Sequence, residues 1–156
     1  MPQEMNHLLY IAHRLPYPPD KGERVRAFNE LKLLAEHFDI TLAAFAHSHV
    51  EREAAERLRP LCREIILATG GGRRGLLRGG VNLFRGRSVT EGHFPAGPML
   101  RKLRSVIGDK TFDLVFGYSS STLPICLAVP ARSRVIDLVD VDSAKWDEYA
   151  DKSHTA

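Results

Sequence analysis

Five short apolar runs, separated by stretches with helical patterning, constrain this chain more than any other feature. HLLYIAH (7–13) is nearly continuous in its apolar character and reads as a strand buried on both faces, as in a parallel sheet. DITLAAFA (39–46), REIILAT (63–69), FDLVFGY (112–118) and SRVIDLV (133–139) read as the other strands. Between the first two runs, Val25, Phe28, Leu31, Leu34, Ala35 and Phe38 fall on one face of a helix. Asp20 and Glu23 stand three apart, an acidic capping box that predicts a helix start near Lys21 or Gly22. SHVEREAAERLRPLC (48–62) predicts a second helix, capped by Ser48 and running to about Pro60. The pattern is β-α-β-α-β, that of a Rossmann-like, doubly wound α/β layer with a parallel sheet.

The middle of the chain is less regular. Residues 70–98 hold most of the glycines and predict one short helix around Leu76–Phe84. A short amphipathic helix is expected over 97–109, a short helix over 120–129, and a last helix over 140–153. At 156 residues the chain suits a single domain over 1–156. No apolar run is long enough to cross a bilayer, and the start of the chain lacks a signal peptide's basic region and cleavage site. Cys62 and Cys126 have no metal-like spacing and sit in apolar runs, the pattern of buried free thiols in a reducing cytoplasm.

Charge is unevenly distributed. Eight basic residues and only Glu91 as an acid lie between Arg73 and Arg104, whereas six acids face only Lys145 from Asp137 to Asp151. A cationic surface favours an anionic partner. The Leu, Val, Phe and Arg mixture of LLRGGVNLFRGR (76–87) suits an anionic membrane surface, with a solvated loop as the plainer alternative. No nucleic-acid recognition motif accompanies the charge, so no nucleic-acid partner is expected.

Ligands of open parallel sheets bind beyond the carboxyl ends of the strands. Three segments are expected there: the loop and helix start over 13–26, YSSST (118–122), and DVDS (140–143). The first is longer than a strand-to-helix turn requires, stiffened by three prolines and supplied with cations. The candidate binding residues are His13, Lys21, Gly22, Arg24, Arg26, Ser119, Ser120 and Asp140. Gly22 admits close backbone approach, the helix N-terminus offers free N–H groups, and Arg24 and Arg26 carry forks suited to phosphate or carboxylate. His13 is a candidate base or hydrogen-bond donor, with a structural imidazole as the alternative. The serines and Asp140 are equally natural as helix caps. Asp140-Val141-Asp142 and the G-x-G-x-x-G at Gly70, Gly72 and Gly75 are read as capping and linker sequence, so neither a metal nor a dinucleotide cofactor is expected.

LLYIAHRLPYPPDKGERVRAFNELKLLAEHFDITLAAF (8–45), together with RVIDLVDVDSAKWDEYA (134–150), resembles the N-terminal domain of family 4 glycosyltransferases of the GT-B fold. The sugar transferases of bacterial exosortase and exopolysaccharide (PEP-CTERM) clusters are the nearer match. The resemblance implies two Rossmann-like domains facing across a cleft: an acceptor-side domain, represented here, and a C-terminal donor-binding domain, absent from this chain. It also implies a cytoplasmic, metal-independent retaining transfer from a nucleotide-sugar, a co-substrate and not a bound cofactor, to a glycan or lipid-linked acceptor. Many members carry two adjacent glycines in the first-strand loop, beside donor and acceptor; Lys21 and Gly22 stand there in this chain. The alternative is a non-catalytic Rossmann-like module that binds a phosphorylated ligand or a partner protein. No residue is singled out as the catalytic group.

Overall fold

The computed structural model describes residues 5–69 and 94–139. Strands β1 (Asn6–Ala12), β2 (Phe38–Ala46), β3 (Glu64–Thr69), β4 (Phe112–Tyr118) and β5 (Ala131–Asp137) form one sheet in the order β3-β2-β1-β4-β5. Every neighbouring pair is parallel. This is a doubly wound, Rossmann-like α/β layer, as the alternation of runs predicts. The helices are α1 (Gly22–Ala35), α2 (His49–Ala54), α3 (Ala96–Ile107) and α4 (Leu123–Ala128), with 3-10 turns at Ala55–Leu58 and Ser120–Thr122. No helix among the described residues is long and apolar enough to cross a membrane.

Side chains alternate across a strand, so β1 feeds two cores at once. Leu9 and Ile11 face Phe45, Met99, Leu103, Val115 and Ile125 on the α3 and α4 side. Leu8, Tyr10 and Ala12 face Ala27, Leu31, Leu42 and Leu58 on the α1 and α2 side. Leu8 through Ala12 are wholly buried, which is why β1 reads as an unbroken apolar run. β5 is an edge strand and keeps Val135 exposed.

Several expectations move by a few residues. The α1 face centres on Ala27 and Leu31, while Val25 is exposed and Phe38 belongs to β2. The second helix keeps α geometry only to Ala54 and then tightens into the 3-10 turn. Its Ser48 cap is as expected, with Oγ accepting from Glu51 N at 3.1 Å. β5 begins and ends two residues earlier than its apolar run. The acidic capping box does not form: Lys21 is the N-cap of α1 and makes no side-chain cap bond. The Asp20 carboxylate turns to Arg24 at 3.4 Å instead, because a guanidinium within reach competes with the backbone N–H for it. Cys62 and Cys126 are free and buried, as expected. The expected helices around Leu76–Phe84 and over 140–153, and the glycine motif at Gly70–Gly75, lie outside the described residues.

Candidate functional site at the carboxyl edge of the sheet

The chain leaves β1 toward β2 on one side and reaches β4 on the other, so strand order reverses between β1 and β4. Such a reversal opens a crevice at the carboxyl ends of the two strands. His13 follows β1 and Ser119 follows β4, so both stand at that crevice.

The loop from His13 to Lys21 is long because it packs. Leu15 is 1% exposed and belongs to the α1-side core, and Tyr17 lies with its ring centroid 6.1 Å from that of Phe28. The Tyr17–Pro18 peptide is cis, and Asp20 N donates to Pro18 O at 2.9 Å. The prolines therefore hold a loop that is also anchored from within. It ends at Gly22, the first residue of α1, where an added Cβ would meet nothing within 4 Å. Neither backbone geometry nor packing demands glycine there.

His13 is largely enclosed. Its ring is parallel to that of Tyr118 at 5.9 Å and edge-on to Phe94 at 5.4 Å. Nε2 lies 3.5 Å from Glu23 Oε2, whose other oxygen lies 3.4 Å from Arg14 Nη1. Nδ1 is buried without a hydrogen-bond partner among the described residues. Burial pulls the imidazole pKa below 6.5, and the Glu23 carboxylate only partly opposes this. Burial thus favours the neutral ring. Tyr118 locks the same corner, its hydroxyl donating to Glu23 O at 2.9 Å.

The two arginines are committed to carboxylates. Arg24 is 12% exposed, and its Nη2 donates to Glu51 Oε1 at 2.8 Å. Glu51 Oε2 accepts from His47 N at 2.6 Å, so a single carboxylate joins α1 to the start of α2. Arg26 Nη2 donates to Asp137 Oδ2 at 2.6 Å and its Nε to Glu30 Oε1 at 2.9 Å. Glu30 in turn accepts from the buried Tyr10 hydroxyl at 3.2 Å. Burial raises the Tyr10 phenol well above its ordinary range, with Glu30 adding to the effect. Lys21 is exposed and has no ion-pair partner among the described residues.

Across the crevice, Ser119 adopts φ 82°, ψ 145°, a backbone region that glycine occupies and other residues avoid. A web of bonds holds it there. Its N–H donates to Asp137 O at 2.8 Å, and its carbonyl accepts from Thr122 N at 3.1 Å and from Thr122 Oγ1 at 2.8 Å. Its Oγ lies 3.1 Å from Ser121 Oγ. Val139 has a positive φ of 65° and donates its N–H to Asp137 Oδ1 at 2.9 Å. Asp137 therefore ties α1, β4 and the exit from β5 together. Ser120 is exposed in the first turn after Ser119. Gly117 makes this turn possible: a Cβ there would lie 2.5 Å from Cys126 Sγ and 2.7 Å from Thr122 Oγ1.

The structure thus gathers His13, Lys21, Gly22, Arg24, Arg26, Ser119 and Ser120 at one end of the sheet. Asp140 lies outside the described residues. Sequence reasoning missed Glu23, Glu51 and Asp137 as site residues, and reached Tyr118 only as the first residue of YSSST. The Glu23 reading as a capping residue hid its place beside His13, and Glu51 and Asp137 carry no local signal for their arginines. Among the described residues, no group of three His, Cys, Asp or Glu side chains is placed to hold a metal ion. A separate cavity of about 280 Å³ lies at the opposite end of the sheet, lined in part by Leu103, Ile107, Val129 and Pro130. It is formed where α3 and α4 end and touches none of the candidate residues.

No family model and no curated protein matches the chain significantly. One solved structure, described as that of "the Glycotransferase of kitacinnamycin", is similar over 86% of this chain with 15% identity and a TM-score of 0.48. The chain spans 31% of the length of that protein.

Proposed function

We propose that this chain is the acceptor-side domain of a glycosyltransferase that moves a sugar from a nucleotide-sugar to a glycan or lipid-linked acceptor hydroxyl. The observation that carries the reading is the crevice between β1 and β4. It brings together the residues of the H-R-x-P-Y-P-P-x-K-G loop, on which the family resemblance rests, with Ser119 and Ser120. The free first turn of α1, the open space over Gly22 and the neutral His13 supply hydrogen-bonding groups suited to a hydroxyl-bearing ligand. In this reading a second domain holds the nucleotide-sugar across a cleft, and orientation across that cleft supplies much of the rate. The protein then works on the cytoplasmic side, with the basic 73–104 stretch as a contact for anionic lipid.

The test is sugar transfer from a panel of nucleotide-sugars. The 156 residues alone should give no turnover and at most weak nucleotide binding, because one wall of a cleft leaves the base and ribose unpartnered and the site wet. Joined to a donor-binding domain they should give turnover that falls with Gly22→Val and Ser119→Ala. Robust turnover by the 156 residues alone, or turnover indifferent to both substitutions, would overturn the reading.

A further inference from the structure

Around β1 and β4, the first-strand loop and the start of α1 look cationic in sequence, but among the described residues their cations stand among carboxylates in space. Four cations stand around the crevice on the first-strand loop and α1: Arg14, Lys21, Arg24 and Arg26. Five carboxylates stand among them: Asp20, Glu23, Glu30, Glu51 and Asp137. All three arginines are paired. Arg14 lies 3.4 Å from Glu23, Arg24 lies 2.8 Å from Glu51 and 3.4 Å from Asp20, and Arg26 lies 2.6 Å from Asp137 and 2.9 Å from Glu30. The pairs are not loose surface contacts on the acidic side: Glu51 and Asp137 are each 17% exposed. Each also accepts a backbone N–H, from His47 and Val139 respectively, which fixes the carboxylate against its arginine.

Arg24 and Arg26 each place N–H groups on two carboxylates held beside them, and those carboxylates repel an incoming anion. Burial disfavours a charge on the imidazole of His13. Besides the exposed ammonium of Lys21, what the crevice still offers is neutral: backbone N–H groups of the first α1 turn, the hydroxyls of Ser119 and Ser120, and space over Gly22.

We propose that Glu51 and Asp137 are specificity-determining residues that close this wall to phosphate and other anions, leaving it to a neutral, hydroxyl-bearing carbohydrate. The inference rests on the glycosyltransferase reading for the identity of the ligand as the acceptor, and it narrows that acceptor: the sugar that enters here presents hydroxyls to this wall, and any phosphate it carries lies elsewhere. The charge argument itself is independent of the reaction.

The experiment follows the backbone amide peaks of Lys21–Arg26 and Ser119–Thr122 in the ¹⁵N-labelled 156-residue chain during titration with inorganic phosphate, glucose and glucose 1-phosphate. The wild type should show no saturable phosphate shift at these amides up to roughly 10 mM, and glucose 1-phosphate should move them no further than glucose does. Glu51→Gln and Asp137→Asn keep an oxygen for the backbone N–H and replace the oxygen that faces the arginine with an amide NH2, which removes the charge and releases the guanidinium. Each should create saturable phosphate binding at these amides, at least tenfold tighter than wild type and weakened by salt, since freed charges at a surface are screened. Saturable phosphate binding by the wild type would overturn the proposal, as would neither variant binding phosphate, because the carboxylates would then not be what excludes it. Thermal melts of both variants confirm that the compared proteins are folded; should one be unfolded the other decides, and a saturable phosphate shift in the wild type overturns the proposal in either case. None of these outcomes bears on whether sugar is transferred, which the turnover assay decides separately.

Discussion

Gly117→Ala should be the most costly single-methyl change near the candidate site. Gly117 lies in β4 directly beneath the turn that carries Ser119 and Ser120. The new methyl would sit 2.5 Å from Cys126 Sγ, 2.7 Å from Thr122 Oγ1 and 3.0 Å from Ile136 Cδ1. Ordinary contacts fall near ~3.5–4.0 Å, so α4 and the preceding turn must retreat by roughly an ångström. They cannot do so freely. Thr122 and Cys126 are buried, and Thr122 Oγ1 donates to Ser119 O at 2.8 Å. Overpacking of this kind costs about 1–3 kcal/mol, and loss of the Thr122 bond adds about 1 kcal/mol. The reduced freedom of alanine in the unfolded chain returns about 0.5–1 kcal/mol. The net loss is therefore on the order of 1–3 kcal/mol, a fall in Tm of roughly 2–12 °C at this chain length. Urea unfolding followed by far-UV circular dichroism measures it. Cys126→Ala removes the nearest obstacle, so the same glycine substitution should cost at least about 1 kcal/mol less in that background. A Gly117→Ala protein within about 0.5 kcal/mol of wild type, or a cost unchanged by Cys126→Ala, would refute the packing argument.

Gly22→Ala should change stability by less than about 0.5 kcal/mol, since nothing lies within 4 Å of the new methyl; a larger loss on urea unfolding would mean that the position is structural. Tyr118→Phe should cost about 0.5–1.5 kcal/mol by deleting the hydroxyl bond to Glu23 O, and an unchanged midpoint would show that bond to be idle. Burial pushes the Cys62 thiol up to about 12 and raises Cys126 as well, so both should react with a thiol reagent at pH ~8 only after denaturant is added. His13 has its pKa lowered by burial, so the unfolded chain takes up that proton first as pH falls. Its contribution to stability is whole above 6.5 and declines as pH drops through 6.5 toward the folded value. The stability gap between wild type and His13→Phe, measured by denaturant unfolding from about pH 7.5 to pH 5, should therefore change in favour of the variant as pH falls. A gap independent of pH would show His13 to be as accessible to protons in the folded chain as in the unfolded one.

The strands and their parallel order of use were legible because hydrophobic periodicity is local. Leu8–Ala12 had to be an unbroken apolar run once β1 was buried on both faces, and the run can be read without any partner strand. The start of α1 was legible from the same short-range pattern, although the cap was not: whether Asp20 turns to the helix N–H groups or to Arg24 depends on where the side chains settle. The crevice could be anticipated from the alternation of strands and helices, and with it the gathering of His13, Gly22 and Ser119. Its electrostatics could not. Arg24 and Arg26 read as free forks because Glu51 lies 27 residues away and Asp137 lies 111 residues away. Gly117 carried no signal at all, since the atoms that require it come from α4, the turn before it and β5. Amino-acid order by itself determined which segments are strands, which are helices and which loops gather at the carboxyl end of the sheet, because those choices rest on contacts repeating every two or four residues. Only the tertiary structure decided which charges cancel, which residue is strained and which glycine is indispensable, because each depends on a side chain brought near by the winding of the sheet.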